Sequence, residues 1–131
     1  MSDDAPREWM AYAEENLQMA KLAMGSNLLN PSLQNAQQAI EKALKAVWVS
    51  TGKSVRKTHS IADLVEGLGS IGIDARLSED ECNLLDSIYL PSKYPAQSVL
   101  PEGMPDARIA KRCMEIADRV CEWANAHLGI I

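Results

Sequence analysis

No apolar run in this chain approaches the ~18 consecutive residues that a bilayer-crossing helix needs. The opening MSDDAPREW is polar and acidic where an export signal is basic and then apolar, so no secretory leader is expected. Cysteine is scarce. Cys82, Cys113 and Cys121 form no CxxC pair, and an odd count suits free thiols in a reducing compartment, so a cytoplasmic protein without disulfides is expected. Basic charge is in deficit: thirteen Lys and Arg against eighteen Asp and Glu give a net charge of −5. That excludes a surface built throughout to neutralise phosphates, though not a local basic patch. The two histidines and three scattered cysteines show no metal-ligand spacing, and the GxxxxGK and GxGxxG signatures are absent, so neither a metal nor a cofactor is expected. Strand-like alternation, internal repeats and low-complexity tracts are missing too.

What the chain does have is helical periodicity. Its 131 residues, 47% hydrophobic, suit one domain over 1–131 with a core of its own. A first helix is predicted from about Ala5 to Met24, started by Asp3 and Asp4, with Pro6 in its first turn and Gly25 at its end. Its inner stripe is Trp9, Ala13, Leu17, Ala20 and Met24. A second begins with Asn30 as N-cap and Pro31 at the first helical position. It carries Ala36, Ala39, Ile40, Ala43, Leu44, Val47 and Trp48 at three- and four-residue steps as far as Gly52.

Ser60 then caps a short helix with Ile61, Leu64, Val65 and Leu68, limited by the glycines at 67, 69 and 72. Ser78 and Glu81 have capping-box spacing, and Leu84, Leu85, Ile88 and Tyr89 give the buried side of a long helix expected to stop before Pro91. PSKYPAQSVLPEGMP holds four of the six prolines, which excludes regular structure over most of it, yet Tyr94, Val99, Leu100 and Met104 predict a loop packed on the core. Asp106 caps a last helix with Ile109, Cys113, Ile116, Ala117, Val120, Ala124 and Leu128 on one face.

These elements predict an all-α protein: an up-and-down antiparallel four-helix bundle with an additional short helix. Ala36, Ala39, Ala43 and Ala46 would let a neighbouring helix approach closely. Trp9, Trp48 and Trp123 exceed what a small core usually needs, which suggests a dimer interface.

The string AQQAIEKALKAVWVSTGKSVRKTHSIADL, then LDSIYLPSKYP and a long final helix, resembles the HEPN domain, named for higher eukaryotes and prokaryotes nucleotide-binding. The resemblance spans nearly the whole chain. It is most specific at AQQAIEKALKA with TH about a dozen residues later, and at KYP, residues 93–95, where the family usually reads RYP. It implies a helical bundle, frequent homodimers and a nucleotide-binding or partner-binding role. One implied setting is the HEPN component of a toxin–antitoxin pair with a small nucleotidyltransferase. Fold alone does not choose among these.

The ribonuclease branch of that family carries an arginine, then four to six residues, then a histidine on the last helix. The histidine there shuttles a proton for the 2′-hydroxyl and the arginine stabilises phosphate charge. Here RVCEWANAH leaves seven residues between Arg119 and His127, so the motif is not matched in spacing. A separation of eight puts the two side chains about 80° apart in projection and about 12 Å apart along the axis. A metal-independent ribonuclease using Arg119 and His127 across a dimer cleft is therefore the alternative, with a non-catalytic dimerising scaffold as a third reading. The plainer expectation pairs Arg119 with Glu115 or Glu122 and leaves His127 near a helix C-terminus, where a cation is mildly favourable.

Five other residues are candidate ligand contacts. Arg56, Lys57 and His59 precede the N-terminus of the short helix, where unpaired N–H groups and cations together suit a phosphate. The structural alternative has His59 and Thr58 holding the loop by local hydrogen bonds. Lys93 and Tyr94 could neutralise a phosphate and stack on a base, or Tyr94 could anchor the proline-rich loop with Lys93 solvated beside it. Gln37, Gln38, Glu41, Lys42 and Lys45 are expected on the polar side of the second helix, with Glu41 and Lys45 as a solvated i,i+4 ion pair. Ser60, His59 and Asp63 do not make a hydrolase, because a serine occupied in capping is a poor nucleophile.

Overall fold

Four long helices and one short one make up the computed structural model, which describes the backbone of residues 4–93 and 106–130 and, of these, the side chains of all but 89–93. The elements are α1 (Ala5–Gly25), α2 (Leu29–Ser50), α3 (Ile61–Ser70), α4 (Glu79–Lys93) and α5 (Ala107–Leu128), and the described residues contain no strand. This is the expected all-α antiparallel bundle with an extra short helix.

Polar contacts between helices show the directions. Asn16 Nδ2 donates to Asn35 Oδ1 at 2.8 Å, and Ser32 Oγ donates to the Ala20 carbonyl at 2.9 Å, so α1 and α2 run antiparallel. Asn125 meets Glu14 at 2.8 Å and Lys21 meets Asp118 at 2.9 Å, which makes α5 antiparallel to α1. The alanines of α2 act as expected: Ala36, Ala39, Ala43 and Ala46 are fully buried, so α2 is the central helix, against which α1, α3, α4 and α5 all pack. Trp9, Trp48 and Trp123 lie only partly buried at the edge of the core.

Several boundaries differ from expectation. Asn27 adopts a left-handed backbone (φ 59°) that reverses the chain, and α2 then starts at Leu29 with Leu28, not Asn30, at the N-cap. Pro31 still falls among the first four residues, whose N–H groups lack intrahelical partners, so it costs no hydrogen bond. Helix α3 passes through Gly67 and Gly69 and ends at Ser70, turned by Gly72 at φ 86°. Helix α4 does not stop before Pro91 but runs to Lys93. Proline fixes φ near the helical value, so it can lie within a helix, at the cost of one backbone hydrogen bond and crowding against the preceding turn.

Three of the predicted caps form, while Asp4 stands at the N-cap of α1 without a side-chain cap hydrogen bond. Ser60 Oγ accepts from Asp63 N–H, Asp106 Oδ1 accepts from Ile109 N–H at 2.8 Å, and Ser78 and Glu81 make the reciprocal capping box. Val99, Leu100 and Met104, expected to pack a proline-rich loop on the core, lie outside the described residues.

Candidate functional site

The loop between α2 and α3 is pinned from α2. Trp48 Nε1 donates to the Ser54 carbonyl at 2.7 Å, and Lys53 and Arg56 sit 5.8 and 5.2 Å from the centre of the same ring. Arg56 reaches this position because Gly67 faces it: a Cβ there would collide with the guanidinium. Lys57 is exposed.

His59 is placed by the α2 residues expected to be solvated. Glu41 and Lys45 are instead buried, with side chains 9% and 6% exposed, and pair at 2.9 Å. They point inward because α1 and the α2–α3 loop cover this stretch of α2, and Lys45 Nζ lies 5.8 Å from the Trp9 ring centre. His59 Nδ1 lies 3.2 and 3.3 Å from the two Glu41 carboxylate oxygens. Buried Gln37 donates to the His59 carbonyl at 3.5 Å, so it too belongs to the interior and not to a polar face. Lys42 reaches Asn16 Oδ1 at 2.7 Å.

A phosphate at the start of α3 would need open backbone donors, and Asp86 of α4 already takes them. Its carboxylate accepts from Ile61 N–H at 2.6 Å, Ala62 N–H at 3.1 Å and Ser60 Oγ at 3.0 Å. Thr58 Oγ1 accepts from Ser60 N–H and donates to Asp63. Ser60 is thus fully engaged in capping and is no nucleophile. Lys93 closes α4, its side chain outside the described residues, and Tyr94 lies outside them altogether.

Arg119 and His127 come together elsewhere. Both line a surface groove of about 590 Å³ that also takes in Arg76, Val120, Glu122 and Trp123. Arg119 pairs not with Glu115 or Glu122 but with Glu81 at the start of α4, at 2.8 Å. Burial works against charge on Glu81, yet the hydrogen bonds from Ser78 and the Arg119 guanidinium outweigh it and hold the carboxyl below its ordinary value. His127 lies on Trp123, ring centres 5.7 Å apart and tilted by 33°. Two guanidinium groups, an imidazole and a partly exposed indole thus face one concavity, which suits a phosphate beside a stackable ring.

Sequence reasoning missed Arg76, Glu81 and Asp86 as parts of these sites. Glu81 was legible as a capping residue only. Nothing local marks Asp86, whose partners stand 24 to 26 residues away, or Arg76, whose groove neighbours lie on α5. Among the described residues no group of three or more His, Cys, Asp or Glu side chains could hold a metal ion. No helix among the described residues is long and apolar enough to cross a membrane.

The class defined by this geometry is an antiparallel helical bundle with a basic-aromatic groove on its last helix. The chain belongs to the HEPN domain family, whose match covers residues 6–127. It is similar to the solved structure of TT1696 from Thermus thermophilus, with 26% identity over 94% of this chain and 98% of that one, at a TM-score of 0.77. It is also similar to ST0689, an archaeal HEPN homologue, with 26% identity over 98% of this chain and 99% of that one, at a TM-score of 0.71. Comparison with curated proteins gives no match.

Proposed function

We propose that this HEPN domain is a nucleotide-binding module, working as a homodimer, and that its ligand groove is the one on α5. The observation that carries the reading is the convergence of Arg76, Arg119, Trp123 and His127 on that groove. Cations there face a phosphate, while Trp123 offers a ring for a base. The cations at 56 and 57 rank behind it: Arg56 is stacked on Trp48, and Asp86 occupies the N–H donors that would have joined them. The nucleotidyltransferase partner implied by the family belongs to the same reading, as the protein whose substrate or product would share this ligand chemistry.

The ribonuclease reading draws on the same groove, because Arg119 and His127 both line it. Two turns of helix separate them, and Arg119 is tied to Glu81, so binding is favoured over cleavage.

A backbone NMR titration with ATP, GTP and a short RNA tests the proposal. Saturable shifts at residues 76, 119, 123 and 127 support it. Shifts confined to 56–59 would move the site to the α2–α3 loop, and none at all would overturn nucleotide binding. RNA cleavage that survives chelation and vanishes in His127→Ala would replace binding by catalysis.

A further inference from the structure

Five described residues have a left-handed backbone: Asn27, Gly52, Gly72, Gly129 and Arg76. Four are glycine or asparagine, the types for which that conformation is cheapest. Arg76, at φ 60°, is the exception. An Asx-type turn holds it there, with Asp74 Oδ1 accepting from Arg76 N–H at 2.8 Å. A glycine would satisfy the same turn with less strain, so the backbone does not explain the arginine. Nor do side-chain contacts: among the described residues its guanidinium makes no hydrogen bond or ion pair, and the residue is exposed. What the position does accomplish is to bring Arg76, from a different element, to the α5 groove that Arg119 also lines.

We infer that Arg76 is a phosphate-contacting residue of the groove, and that it and Arg119, two guanidinium groups from separate elements, grip one phosphate of a nucleotide. This rests on the groove being the ligand site. Arg119 spends Nη2 on Glu81, which orients its remaining donors, whereas among the described residues nothing engages the planar fork of Arg76. The nucleotide phosphate has two sources, the terminal group of a mononucleotide or an internal group of single-stranded RNA.

The test is calorimetric titration at fixed low salt with ATP and with a single-stranded adenylate hexamer, alongside thermal unfolding. The proteins are the unaltered chain, Arg76→Gly, Arg76→Lys and, as a charge control beyond the groove, Arg108→Gln. For Arg76→Gly, affinity should fall about tenfold or more, the loss of a charge-assisted hydrogen bond, while Tm is unchanged or raised. Arg76→Lys keeps the charge without the fork and should fall between, and Arg108→Gln should bind like the parent. Binding of ATP alone makes the terminal phosphate the ligand, and binding of the hexamer alone makes it an internal one; either supports the assignment. Arg76→Gly binding within about twofold of the parent, or Arg108→Gln losing as much as Arg76→Gly, would overturn it. If the unaltered chain binds neither probe, the groove reading itself fails and the role of Arg76 falls with it.

Discussion

At Glu41 and Lys45 two full charges sit inside the bundle, the carboxylate reached from one side by an ammonium and from the other by the His59 ring. Burying such a pair is costly, and it persists only when both partners stay paired. Lys45→Met would leave Glu41 with His59 alone, and His59 is more than half exposed. We expect the variant to lose about 3 kcal/mol in urea unfolding, with the Glu41→Gln/Lys45→Met double variant recovering most of it. An unchanged unfolding free energy for Lys45→Met would mean that water reaches the pair in solution. At this scale His59 of the KTH segment is first a loop anchor, because its ring rests on a buried carboxylate.

Helix α3 is only ten residues long, and its start depends on α4. Isolated helices of that length are marginal, so tertiary contacts supply its stability. Asp86 satisfies two of its leading N–H groups and the Ser60 hydroxyl, while Gly67 and Gly69 weaken its interior. A side chain at Gly67 would collide with the Arg56 guanidinium that lies on Trp48. Replacing Asp86 by Ala should cost about 2 kcal/mol, since it removes both a cap and the partner of several donors. Amide exchange at Ile61 and Ala62 should accelerate well beyond that in α2. Equal protection of the two amides in the variant would show that Ser60 alone holds the helix.

Across the whole molecule the three thiols report on packing. Burial pushes Cys113 and Cys121 up to about 12 and also raises Cys82, where neighbouring carboxylates add to the effect. The thiolate is the reactive form, so none of the three should react with an aromatic disulfide reagent at pH 8 in the native state. Their modification should follow global unfolding as urea is added. Fast native-state labelling of Cys82 alone would instead reveal local opening of α4. The same packing leaves an outward-facing basic-aromatic groove on α5, to which Arg76 adds a cation that no family motif marks.

Much of the fold was legible locally. The α5 helix announces itself by Asp106 and an apolar residue at every third or fourth step. The Ser78-Glu81 capping box and the Ser60 cap are complete within four residues of chain. Helix ends were less legible where a local rule competed with context: α2 starts early because Asn27 turns the chain, and α4 passes Pro91 although a proline there costs a hydrogen bond and crowds the turn before it. By itself, the sequence determined the helical class, the caps at Ser60, Ser78 and Asp106 and most of the buried stripes, because hydrogen bonds within a few residues and a 3.6-residue period are properties of the local chain. Only the tertiary structure decided that Glu41 and Lys45 are interior, that Asp86 closes the start of α3, and that Arg76 shares a groove with Arg119 and His127. Each of these depends on which helix covers which face, and long-range packing sets that where no local spacing records it.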